Sequence, residues 1–103
     1  MNVYSVLSNL SVPVRRLTFS GSETTYITFF DYNENEAQSA DDEETATYEF
    51  VQVDVWSKGD YTQLVKDVKT AMKAAGFKRR DEQEFYEDDT ELFHKAIRFV
   101  INT

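Results

Sequence analysis

Six carboxylates, Glu34, Glu36, Asp41, Asp42, Glu43 and Glu44, fall close together, and clustered oxygens of this kind are what a hard cation such as calcium takes as ligands. Their spacing does not follow an EF-hand loop, and no glycine stands between them to make its sharp turn, so no metal site is assigned. His94 is the sole histidine, next to Lys95, and the chain has no cysteine to complete a soft-metal set. Paired with an acid across a hairpin it could act as a base. Without a nucleophile or an orienting group, a half-exposed strand histidine is the expectation, and no catalytic residue is assigned. The sequence has no glycine-rich phosphate loop and no serine elbow, so neither an enzyme nor a cofactor is expected.

Two further groups point to contacts instead of chemistry. Asp54 alternates with Gln52 and Trp56 on a strand whose other face is all valine, so its carboxylate must reach solvent or a donor. The plain expectation is an exposed strand acid. The sharper one is a subunit contact in which Asp54 pairs with a neighbour's Lys or Arg, because Phe50 and Trp56 make that face apolar to leave in water. Lys78, Arg79 and Arg80 form the one basic run outside a helix. Three charges are too few for a nucleic-acid footprint on an acidic protein, but they suit an acidic segment.

The charge is segregated along the chain. Asp31 to Glu49 holds eight acids and no base, while one acid and two bases precede it and ten acids and nine bases follow it. The net charge of −8 therefore belongs to this stretch. Its carboxylates repel one another and it offers little to bury, so residues 33–47 are expected to be a solvated, flexible loop that a partner could order. The aromatic content of the chain, with eight Phe, six Tyr and one Trp, argues for a folded chain of one domain, residues 1–103. An acidic surface disfavours nonspecific binding to nucleic acid or anionic lipid, no apolar run reaches the length of a membrane span, and synthesis in the cytoplasm is expected.

The elements that must position these residues are legible by period. Val3, Val6, Leu7 and Leu10 make one face of a short helix that Pro13 ends. Val14–Phe19 and Thr24–Tyr32, joined through Ser20-Gly21-Ser22, suggest a hairpin. Tyr48–Trp56 alternates strictly. Asp60 and Gln63 stand at cap and N3 spacing before a stripe of Leu64, Val65, Val68 and Met72, with Gly76 at the stop, giving a helix over about 61–75. Phe77–Glu87 and Glu91–Asn102 read as a closing hairpin. The order predicts an α+β fold: a mainly antiparallel sheet with both helices on one face and a long acidic loop.

The stretch VQVDVWSKGDYTQLVKDVKTAMKAAGF, from Val51 to Phe77, and EFYEDDTELFHKAIRF, from Glu84 to Phe99, resemble the small tail-completion proteins of siphophages and of prophages in Gram-positive bacteria. Val12-Pro13-Val14 after a short helix fits the same pattern. The resemblance covers most of the chain and is weakest through the acidic segment. It implies a structural tail terminator, or tail-to-head joining protein, at the head-proximal end of the virion tail. Such a protein would cap the tail tube as a ring, commonly of six subunits, between the tail tube protein and the head-completion (connector) protein, with a monomeric free form left open.

A ring needs two different patches that fit one another. The acidic residues Glu34 to Glu44 and the basic run Lys78, Arg79 and Arg80, joined by Lys66, Lys69 and Lys73, are the sequence's candidates, with Asp54 and Trp56 as further interface residues. The competing class is an acidic inhibitor or DNA mimic that binds a basic host or phage protein. A mimic displays acids over a broad rigid surface, whereas these are concentrated in one stretch.

Overall fold

The computed structural model describes residues 3–32 and 48–102. The chain runs α1 (Val3–Leu7), β1 (Val14–Arg16), β2 (Tyr26–Tyr32), β3 (Tyr48–Ser57), α2 (Thr62–Ala74), β4 (Lys78–Glu87) and β5 (Leu92–Asn102). The strands form one five-stranded sheet in the order β1-β2-β3-β5-β4, antiparallel except for the β1–β2 pair. This is an α+β fold. Residues 33–47, with Glu34, Glu36, Asp41, Asp42, Glu43 and Glu44, lie outside the described residues.

Strand alternation creates two unlike faces. Ile27 and Phe29 of β2, Val51, Val53 and Val55 of β3, and Ile97 and Phe99 of β5 point to one side and meet Val3 and Leu7 of α1 and Val65, Val68 and Met72 of α2. Each such side chain removed from water contributes about 1.5–3 kcal/mol, and this layer is the core. Among the described residues the other side of the sheet carries no helix, and its residues are those that alternate with the core set: Tyr26, Thr28, Phe50, Gln52, Asp54, Trp56, His94 and Arg98.

The expected β1–β2 hairpin is corrected. Val14 pairs with Ile27 and Arg16 with Phe29 in parallel, and β1 stops at Arg16 instead of reaching Phe19. The cause is Leu17, which takes φ 70° while the Thr18 amide donates to the Arg16 carbonyl at 2.8 Å, a γ-turn that throws the chain off the sheet. Leu17 still donates to Phe29 O at 2.8 Å, and the chain then returns past Phe19 to start β2. The N-terminal helix is shorter than its apolar spacing suggested, ending at Leu7.

The start of α2 also differs. Asp60 is not the cap residue: Tyr61 holds that position without a side-chain cap bond. Asp60 Oδ1 instead accepts from the Thr62 amide at 3.0 Å and the Thr62 hydroxyl at 2.7 Å, an Asx-turn that leads into the helix. The hydroxyl, then the amide, hold the Asp60 carboxyl below its ordinary pKa. At the other end the Phe77 amide donates to Met72 O and the Gly76 amide to Lys73 O, both at 3.0 Å, with Gly76 at φ 102°; this is a Schellman stop. Phe77 closes it by packing edge-on against Phe99 at 6.4 Å between centroids.

Candidate functional site

On the open face, register places Trp56 of β3 opposite His94 of β5, with Asp54 two residues along and Phe85 of β4 on His94's other flank. Asp54 Oδ1 lies 2.8 Å from His94 Nε2 and accepts from Gln52 Nε2, also at 2.8 Å. Glu87 Oε2 approaches His94 Nδ1 at 3.4 Å. The imidazole stacks on the Trp56 indole at 3.8 Å with planes 9° apart, and the Trp56 N–H donates to Thr28 Oγ1 at 3.1 Å. The stack continues outward through Tyr26, 5.8 Å from Trp56, to Phe19, 4.2 Å from Tyr26.

Two expectations change here. Asp54 is 5 % exposed, not the exposed strand acid expected, and it finds donors within the chain in Gln52 and His94. His94, expected to be half-exposed, has a side chain only 13 % accessible. A His–Asp pair is the orienting half of a hydrolytic triad, but His94's hydrogen-bond partners among the described residues are carboxylates alone. The pair ties β3 to β5 across the sheet. Nor does Trp56 offer a platform for a base, because its faces are spent on Tyr26 and His94. Among the described residues no three His, Cys, Asp or Glu gather as metal ligands.

The basic run divides. A β-bulge between Arg79 and Asp81 re-aims the chain, and Arg80 lies over the Phe50 ring at 5.3 Å on the open face. Lys78 and Arg79 instead line a groove of about 320 Å³ with Lys69 and Lys73 of α2, over Phe77 and Phe99. Beside it, Lys69 Nζ meets Glu82 Oε1 at 2.7 Å, and Lys95 lies 3.7 Å from the other oxygen. The hydrogen bond from Lys69 comes first in holding the Glu82 carboxyl below its usual range. Further along β4, Tyr61 donates to Glu84 Oε2 at 2.6 Å; burial, then this carboxylate, push the phenol far above its ordinary pKa.

At the opposite edge, a cleft of about 630 Å³ opens between α1, β1 and the ends of β2 and β3. Val3, Val14 and Phe29 floor it, and Tyr4, Arg15, Arg16, Asp31 and Glu49 form its rim. The sequence offered Asp31 and Glu49 only as the ends of the acidic stretch. That they would face Arg15 and Arg16 depends on the parallel β1, which periodicity does not reveal.

These features define a class: a small α+β domain whose charged and aromatic side chains are displayed on the edges and the open face of one sheet. The family model described as tail completion protein gp17 matches residues 11–103, which takes in every strand and α2. The chain belongs to that phage tail-completion family, and this gives it a structural role in the phage tail, associated with the virion and in contact with other tail or head components. No curated protein matches the chain. No described helix is long and apolar enough to cross a membrane.

Proposed function

We propose that the protein is the tail terminator of its phage, a tail-to-head joining protein that closes the head-proximal end of the tail tube as a hexameric ring and presents the surface to which the connector of the filled head attaches. The observation that supports this reading most directly is the family match from residue 11 to residue 103, which includes both edges of the sheet. A ring requires that one subunit carry two unlike, mutually fitting patches, and a sheet with two differently charged edges provides for that. The acidic residues Glu34, Glu36, Asp41, Asp42, Glu43 and Glu44 either meet the basic groove of a neighbour or face the ring's inner wall. On the wall they would repel DNA phosphates and let the genome pass without adhering.

The test is deletion of the gene from the phage or prophage that encodes it, with the lysate viewed by negative-stain electron microscopy. DNA-filled heads beside unattached or over-long tails are expected. Normal joined virions would overturn the assignment and bring forward the acidic-inhibitor alternative.

A further inference from the structure

We propose that the two outer edges of the sheet are the two halves of one contact between copies of this chain, the β4 edge of one copy lying against the β1–β2 edge of the next. The proposal rests on the ring reading above. Its basis is a charge order that the hydrogen-bond ladder sets level across the molecule. Arg79 pairs with Phe99, Phe99 with Val51 and Val51 with Asp31, so Arg79 on one edge stands at the height of Asp31 on the other. By the same ladder Glu82 stands level with Ile97, Val53, Phe29 and finally Arg16.

Read along the strands, the β4 edge is basic and then acidic, while the β1–β2 edge is acidic and then basic. Copies related by rotation about an axis along the strands keep their heights. Each such contact therefore sets Arg79 against Asp31 and the acids of β4 against Arg16.

Two more observations favour a second copy as the occupant. Arg16 and Asp31, which share one cleft rim, and Arg79, whose charge acts on the nearby Glu82, are in no direct ion pair with a described residue, so each keeps the capacity to meet a charge from outside. Each edge also exposes large apolar side chains, Leu17 beside β1 and Phe85 and Tyr86 on β4, which supply area that isolated surface charges cannot.

Charge swaps test this on the full chain. Arg79→Glu alone and Asp31→Arg alone should each weaken assembly at least tenfold, measured by mass photometry of the free protein and by occupancy of purified tails. Both changes in one chain should restore rings, since every contact then regains an opposite pair. Arg79→Glu combined with Arg16→Glu should not. Circular dichroism melting confirms that each variant is folded. Wild-type assembly by the single variants, or failure of the folded double swap to recover, would place the contact elsewhere and leave the ring reading standing. If the wild-type chain forms no ring either free or on tails, the ring reading falls and this contact with it.

Discussion

The two faces of the sheet are stabilised by different physics within the same strands. Toward the helices, Val51, Val53, Val55, Ile97 and Phe99 exclude water and need no partners beyond shape. On the open face, Asp54 and Thr28 are equally buried, yet each is kept there by a hydrogen bond: Asp54 to His94 and Gln52, Thr28 to Trp56. The contrast shows that burial on this sheet is not confined to the side that helices cover. Stacked rings seal the open face, and the polar groups beneath them fix which residue of β3 lies beside which residue of β5. A one-residue slip would place valines over the rings and carboxylates in the core.

The largest break in this comparison should come from the helix side. Phe99→Ala, at a side chain 1 % exposed, removes a ring from between the sheet and Phe77 and should cost about 3–5 kcal/mol in urea unfolding. On the open face, Asp54→Ala strands two donors and should cost about 1–3 kcal/mol. Asp54→Ala with His94→Ala should cost less than the two single losses added together, because the imidazole removed no longer needs the carboxylate. A double-mutant cycle with no coupling between these positions would show that the 2.8 Å contact contributes nothing.

The smallest effect concerns pH. Lys69 lowers the Glu82 pKa in the folded state, so the contribution of this pair is complete above the ordinary glutamate value of about 4.3 and is lost as pH falls through the lowered folded value. Wild type should therefore melt above Glu82→Gln at neutral pH, and the two melting curves should converge in strong acid. A gap that persists unchanged at low pH would assign the difference to packing.

How much of this was legible in the sequence depends on range. The strict alternation of β3 and the Gly76-Phe77 stop of α2 are local patterns, and they carry over into the structure. The direction of β1 was not legible, because it turns on Leu17 taking a left-handed φ that nothing in the residue type announces. Asp54 and His94 are 40 residues apart, and their meeting follows from the β3–β5 register. A signal did exist: an acid at the same strand period as two aromatics and a histidine at a matching period in a later strand. In the sequence the basic run forms one patch, whereas strand alternation puts Arg80 on the opposite face from Arg79's groove. The heights of the edge charges are a property of the assembled ladder, since Asp31 and Arg79 lie on strands that never touch.

The row of rings has an optical consequence. Trp56 is the chain's one tryptophan, and it sits between Tyr26 and the His94 imidazole, with Phe85 of the outermost strand 5.5 Å beyond that imidazole. Its emission therefore reads the alignment of three neighbouring strands at once. If copies meet along β4 as proposed above, an arriving subunit would disturb the far end of the row, and Trp56 emission would report the contact with no label to attach.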